Sequence, residues 1–249
     1  SKNKKLKKYC FGYNNSFISF QNIKKTNNKK QVEFLFNKKK YSFETGLIGE
    51  VQIKNLLFAI LAAYLSKIKI KSILKTINKV KPVPGRLEKI GRIKNNSKVI
   101  LDYAHTPDAL KTVILNIKNE YPLSKISLVF GCGGNRDKEK RSAMGMIASR
   151  YCDKIYLTDD NPRLENPESI RKQTKKKIDK TKLKEIPSRA KAIFVAIKEL
   201  NSGNILIVSG KGHETYQEYV SRKSFSDKYE ILKAINKKNE ILSNSIKTN

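Results

Sequence analysis

An α/β fold built on a doubly wound, mostly parallel sheet is predicted for the greater part of this chain, on three observations. Short apolar runs of strand length recur at Lys98–Leu101, Ile126–Phe130, Lys154–Thr158 and Ile205–Ser209. Segments of helical length and helical apolar period separate them, the alternation that a parallel sheet with crossover helices requires. Each run ends in polar or glycine-rich sequence, as strands do where they emerge at the ligand-binding edge of an open sheet.

The elements can be taken in order. Residues 1 to about 46 are polar and rich in Lys and Asn, with alternating stretches such as Val32-Glu33-Phe34-Leu35-Phe36 that read as hairpin strands of an incomplete sheet. A helix is expected from about Gln52 to Ser66, apolar nearly all round and therefore buried. A second runs from about Ile70 to Val80 and must stop before Pro82 and Pro84. Pro82-Val83-Pro84-Gly85-Arg86 is the best domain boundary in the sequence. Beyond it, Thr106 suits a helix N-cap and Pro107 the first helical position, with Leu110, Val113, Ile114 and Ile117 forming one apolar stripe. Further helices are expected at about Glu139–Tyr151, Pro167–Ile178 and Ser188–Leu200, the last with a stripe of Ala190, Ile193, Phe194 and Ile197.

The chain has 249 residues, enough for one large domain or two modest ones with a buried core. Lys and Arg total 53 against 22 Asp and Glu, a net charge of +31. Such a charge attracts phosphate backbones. Yet runs such as Lys38-Lys39-Lys40 and Lys175-Lys176-Lys177 sit among many Asn and Ile, and no basic stretch is interleaved with stacking aromatics. The excess therefore reads as a solvated surface, and no specific nucleic acid partner is expected. Cys10, Cys132 and Cys152 form no metal-ligand spacing or disulfide framework, which fits a reducing cytoplasm. The longest apolar run, Leu56–Leu65, is too short to cross a membrane, so no membrane insertion is expected.

The chemistry sits in the strand-end loops. They read Asp102-Tyr103-Ala104-His105, then Gly131-Cys132-Gly133-Gly134-Asn135-Arg136-Asp137, then Asp159-Asp160-Asn161-Pro162-Arg163, then Gly210-Lys211-Gly212-His213-Glu214. Both histidines of the chain, His105 and His213, fall here. Taken singly, each loop also fits an ordinary turn: the glycine run lacks the third glycine of a dinucleotide fingerprint, and Asp-Asn-Pro commonly initiates a turn. Four at one edge of one sheet point to a site. Arg136 and Arg163 offer planar forks to carboxylates, Asp160 and Glu214 accept from ammonium groups, and the glycine loops add backbone donors. Both charge types on one rim suit a zwitterion, and two sets of them suit a diamino-dicarboxylic acid.

These same residues resemble the successive signatures of the Mur ligase family, in its diaminopimelate-adding branch. Pro84-Gly85-Arg86-Leu87-Glu88 resembles that family's junction between central and carboxyl-terminal domains, and Asn55 its central-domain asparagine. The resemblance runs from about Leu47 to Lys228. It implies a Rossmann-like carboxyl-terminal domain at 82–249 that recognises the amino acid, preceded at 1–81 by the tail of a central ATP-binding domain. The implied reaction is ATP-dependent amide formation in peptidoglycan synthesis. ATP phosphorylates the D-glutamyl carboxylate of UDP-MurNAc-L-Ala-D-Glu, the amine of meso-diaminopimelate attacks the acyl phosphate, and Mg²⁺ assists. Arg136, Asp160, Asn161, Pro162, Arg163, Gly210 and Glu214 would then hold meso-diaminopimelate, and Asn55, Arg86, Asp102 and His105 would lie toward ATP. The arginine of Asp160-Asn161-Pro162-Arg163 marks the diaminopimelate type, since relatives that take L-lysine usually lack it.

One departure stands out. No G-x-x-x-x-G-K-[ST] phosphate loop occurs in the chain. The expectation is that this loop, the UDP-sugar-binding domain and the carbamylated lysine that helps bind Mg²⁺ belong to an amino-terminal portion of the same enzyme upstream of Ser1. The catalytic phosphate-binding residues are expected there too, and the chain alone is expected to be inactive. A stand-alone amino-acid-binding module, a folylpolyglutamate-type ligase and a basic nucleic-acid-binding protein are the competing readings.

Overall fold

The computed structural model describes residues 8–12, 16–25 and 29–247, so the basic run before Lys8 lies outside the described residues. The chain divides into two compact units, Ser1–Pro82 and Val83–Asn249.

In the first unit a four-stranded sheet has the order β1 (Phe11–Gly12), β2 (Ile18–Lys25), β3 (Lys30–Phe36), β4 (Lys39–Thr45). β1 pairs with β2 in parallel, and the other pairings are antiparallel. The strict alternation of β3 puts Val32, Phe34 and Phe36 on the covered face. Helices α1 (Glu50–Leu65) and α2 (Ile70–Thr76) cover that face through Ile53, Leu56, Leu57, Ile60, Leu61 and Ile73. The expectation of an all-round buried helix over residues 52–66 does not hold within this unit. Only one face of α1 meets the sheet, and Phe58 stays 51% exposed, its ring 4.3 Å from that of Phe11. The second helix is also shorter than expected, giving way to a single 3₁₀ turn at Ile77–Lys79 ahead of the prolines.

The second unit holds a six-stranded sheet. Its elements run β5 (Glu88–Ile90), β6 (Lys98–Asp102), α3 (Pro107–Glu120), β7 (Ile126–Phe130), α4 (Glu139–Tyr151), β8 (Lys154–Leu157), α5 (Pro167–Thr174), β9 (Leu183–Glu185), α6 (Arg189–Lys198), β10 (Ile205–Ser209), a small antiparallel hairpin β11 (Tyr216–Glu218) and β12 (Arg222–Ser224), and α7 (Asp227–Lys247). The strand order is β5-β6-β10-β7-β8-β9, parallel except for β5. All five residues of β10 are buried, as expected of a central strand covered on both faces. Val99, Leu101, Val129, Leu206 and Val208 pack against α6 and α7 through Ile193, Ala196, Ile197, Ile231 and Ile235. The alternate set Ile100, Leu128, Ile155 and Ile207 is equally buried and faces the opposite way, where α3 packs on α4 and α4 on α5.

Local chemistry sets the helix ends. Thr106, Asn166 and Ser188 each cap the helix that follows, accepting from Ala109 N, from Glu168 N and Ser169 N, and from Lys191 N. The stripe expected on α3 is the buried one. On α6 the buried face is instead Arg189, Ala192, Ile193, Ala196 and Ile197, and Phe194 is 42% exposed. That face meets both the sheet and α7, while Phe194 stands at the margin beside α7. β5, β9, the β11–β12 hairpin and α7 have no counterpart among the expected elements.

Candidate functional site

The insertion of β10 between β6 and β7 brings the loop after it beside the loops of both neighbours. Gly210 N donates to Asp102 O (3.1 Å) and Ser209 Oγ to Ala104 O (2.7 Å), joining the ends of β10 and β6. On the other side the loops after β7 and β8 interlock, with Gly134 N donating to Asn161 O at 2.9 Å. The glycines are required there. A Cβ on Gly131 would lie 2.3 Å from Thr158 O, and one on Gly134 only 1.8 Å from Pro162 O.

The four loops enclose a cleft of about 310 Å³ lined by Tyr103, His105, Gly133, Arg136, Lys140, Asp160, Asn161, Arg163, Gly210 and Glu214 among others. Arg136 is exposed at its edge and has no hydrogen-bond partner among the described residues. Arg163 is held by several contacts. Its Nε lies 3.1 Å from a Glu218 carboxylate oxygen, its Nη1 donates to Gly134 O at 2.9 Å, and its backbone N–H donates to Glu218 O. Gly133 lies between the two guanidinium-bearing side chains, since a Cβ there would meet Arg163 Nη1 at 3.0 Å and Arg136 Cγ at 4.0 Å.

The acidic half is as tightly organised. Lys211, fully buried, donates from Nζ to Asn161 Oδ1 (2.8 Å) and to Glu214 Oε2 (3.0 Å). Glu218 N also donates to Asn161 Oδ1, which fixes the amide so that its NH₂ faces Glu214 Oε2 at 3.2 Å. Asp160 borders the same space, and burial pushes its carboxyl above the ordinary aspartate range, against the pull of Arg189 and Lys211. Pro162 is buried behind the cleft and does not line it.

The residues expected toward a nucleotide divide. His105 lines the cleft, its Nδ1 3.0 Å from Tyr103 O. Arg86 lies outside it, with its guanidinium 4.5 Å from the centroid of the Tyr103 ring, and Tyr103 in turn contacts the rings of His105 and His213. Asp102 is buried and its two oxygens accept from Leu87 N (2.8 Å) and Ala104 N (2.7 Å), holding the positive-φ turn at Leu87. Asn55 is exposed on α1 of the first unit. Among the described residues no group of three or more His, Cys, Asp or Glu is placed to hold a metal ion, so Mg²⁺ is assigned no ligand here.

Comparison with known proteins separates family from fold. The family model for the glutamate ligase domain of Mur ligases matches residues 85–212, just over half the chain and all four cleft loops up to Gly212. This chain belongs to the Mur ligase family. Among curated Mur ligases, the UDP-N-acetylmuramoyl-L-alanyl-D-glutamate--2,6-diaminopimelate ligase of Rickettsia felis is 42% identical over 207 residues, covering 83% of this chain and 38% of that protein. The ligase of the same name from Blochmanniella floridana is 43% identical over 191 residues, covering 76% of this chain and 38% of its own. This chain thus spans well under half the length of these two curated Mur ligases. A solved structure of a ligase of that name aligns with a TM-score of 0.65 at 31% identity, over 90% of this chain and 46% of the other. The MurF ligase from Thermotoga maritima, in complex with ADP, shares the fold at 15% identity with a TM-score of 0.64.

Several residues of this Mur ligase cleft escape sequence reasoning. Lys211 lies inside the Gly210–Glu214 motif, yet the sequence gives no sign of its burial between Asn161 and Glu214. Glu218 and Tyr219 belong to the unexpected hairpin, from which Gln217 Nε2 donates to Asp159 O and Tyr219 Oη to Asp159 Oδ2. Arg141 is fully buried and holds Glu165, Gln173 and Gly133 O, bracing the glycine loop from beneath. A signal existed only for Arg189, which stands four residues before Ile193 on the buried face of its helix.

Proposed function

We propose that this chain is the carboxyl-terminal, amino-acid-recognising part of an ATP-dependent ligase that joins meso-diaminopimelate to UDP-MurNAc-L-Ala-D-Glu. The observation that carries the reading is the cleft, which is lined by Arg136 and Arg163 together with Asp160 and Glu214, within a volume suited to a small zwitterion. The likeness to ligases of this name supports the choice of amino acid. Their low coverage by this chain leaves the sugar–peptide substrate, Mg²⁺ and the triphosphate of ATP to the remainder of such an enzyme. A cytoplasmic location goes with the reading, consistent with three unpaired thiols, two of them buried.

On this reading the chain's own residues bind and orient the amino acid. Arg163, braced by Glu218, and Arg136, free at the edge, receive carboxylates; Asp160 and Glu214 receive ammonium groups. Held this way, the reacting amine is presented to the acyl phosphate in one orientation, the source of most of the gain when two reactants share a site. Calorimetric titration of the chain with meso-diaminopimelate tests the reading. Saturable 1:1 binding is expected, and absence of binding at millimolar ligand would reject it.

A further inference from the structure

At the wall of the cleft, two groups of opposite charge each carry a buried atom with no hydrogen-bond partner: Oδ2 of Asp160, whose side chain is 14% exposed, and Nη1 of the fully buried Arg189. They lie 3.9 Å apart. Arg189 projects from the first turn of α6 and is essentially inaccessible to solvent. Its other nitrogens are committed: Nε donates to Asp227 Oδ1 at 2.7 Å, and Nη2 donates to Asp227 Oδ2 at 2.6 Å and to Ser209 O at 3.0 Å. Asp227, fully buried at the start of α7, neutralises it. Arg189 therefore needs no second carboxylate, yet Asp160 stands before its remaining nitrogen.

The charges around Asp160 come from every element packed against it. Arg189 faces it from α6, Asp227 from α7, and Lys211 and Glu214 from the loop after β10. Cys132, on the loop after β7, has its thiol pushed up to about 11 by burial and is neutral near neutral pH. Arg136, Lys140 and Arg163 line the same cleft. The groups closest to Asp160, with Asp160 itself, are three carboxylates against two cations, one positive charge short of balance. A partly desolvated excess of negative charge is unfavourable, and an arriving ammonium group would supply the missing cation. Gly210 keeps the arrangement open: at φ 120°, a Cβ there would meet Asp160 Oδ2 at 2.8 Å.

We infer that Arg189, backed by Asp227, is a positioning residue of the amino-acid site, holding Asp160 negatively charged and directed at the ammonium group of the ligand. The inference rests on the reading of the cleft as an amino-acid site, but the coupling between Arg189 and Asp160 can be measured without ligand. Burial raises the Asp160 carboxyl, and Arg189 offsets that rise. Removing the guanidinium should raise the protonation midpoint of Asp160 further, and removing the Asp227 charge should lower it.

The test uses the whole 249-residue chain. The side-chain ¹³C resonance of Asp160, assigned by Asp160→Asn, is followed against pH in the wild type, Arg189→Lys, Arg189→Gln and Asp227→Asn. The midpoint should rise in Arg189→Gln, fall in Asp227→Asn and stay near wild type in Arg189→Lys. Affinity for meso-diaminopimelate at neutral pH should drop about 10-fold or more in Arg189→Gln, with recovery as pH rises through the new midpoint. A merely structural role would lower affinity without moving its pH profile. An Asp160 midpoint that does not rise in Arg189→Gln overturns the inference, whatever Asp227→Asn does. Should Arg189→Gln fail to fold, a midpoint unmoved or raised in Asp227→Asn overturns it alone. If the midpoints move as expected and the wild type does not bind meso-diaminopimelate, the coupling stands and the reading of the ligand falls.

Discussion

Arg163 combines a left-handed backbone (φ 55°) with a side chain gripped by Glu218 and Gly134 O, so its guanidinium is directed before any ligand arrives. A non-glycine residue in that conformation is strained and persists only where its surroundings hold it. Arg163→Ala should therefore weaken meso-diaminopimelate binding by about 2–4 kcal/mol, roughly 30- to 1000-fold, measured by calorimetry. Unchanged affinity would remove Arg163 from the site. Arg163→Lys should rescue poorly, because an ammonium cannot bridge Glu218, Gly134 O and a ligand carboxylate in one plane. The same residue sets the choice between amino acids. L-Lysine lacks the far carboxylate, so it would leave the fork unmatched, and discrimination on the order of 10³ is expected from competition at equal concentrations. Comparable use of both would mean the 160–163 loop does not select.

Glu199, at the C-cap of α6, gathers the strands beneath the helix. It accepts from Lys154 and Tyr156 on β8 and from Lys184 on β9. Partial burial alone would raise its carboxyl, but these donors outweigh that and hold it down at about 2. The sign follows from linkage: a carboxylate lowered in the folded state stabilises it above the unfolded value of about 4.3, and that contribution fades as pH falls toward 2. Glu199→Gln should lower stability at neutral pH by about 1–2 kcal/mol, allowing for solvent screening at a partly exposed group. It should also flatten the acid limb of a denaturant-unfolding series between about pH 4.3 and 2. An acid limb as steep as wild type would show that the three donors act through geometry alone. The β11–β12 hairpin works on the same scale, bracing the 159–163 loop from one side through Gln217, Glu218 and Tyr219.

Two compact units make up the molecule, and all residues of the cleft belong to the second. The sequence contains no G-x-x-x-x-G-K-[ST], the loop whose backbone and lysine hold the β- and γ-phosphates in P-loop enzymes. Purified alone, the 249-residue chain should show no ATP hydrolysis above background in a phosphate-release assay, with or without meso-diaminopimelate. Robust turnover would show that the phosphates are handled by residues within this chain. The net charge of +31 bears on solubility and non-specific attraction to anions. The cleft itself is not a basic groove, since Asp160, Glu214 and Glu218 stand among its cations.

Strands β6, β7, β8 and β10 and helices α3 to α6 of the second unit were legible in the sequence because each is a local pattern. Ile126–Phe130, Glu139–Tyr151 and Ile205–Ser209 emerge with the expected ends, and α3 buries the expected stripe. The four loops were legible because a strand's end, a glycine run and charged residues coincide there. Phe194 went the other way: its period predicted burial, but the covered side of α6 is the one that meets the sheet and α7, a helix that was not expected. The supports of the site were equally hidden. Arg189 meets Asp227 from 38 residues away and Tyr219 meets Asp159 from 60, through a strand order that sets β10 between β6 and β7. Periodicity and turn chemistry are properties of neighbours in the chain, so the sequence by itself determined the central strands and the helices between them, the family motifs and the edge where they gather. The pairing of buried charges is a property of neighbours in space, and only the tertiary structure decided that Lys211 lies between Asn161 and Glu214 and that Arg189 stands behind Asp160.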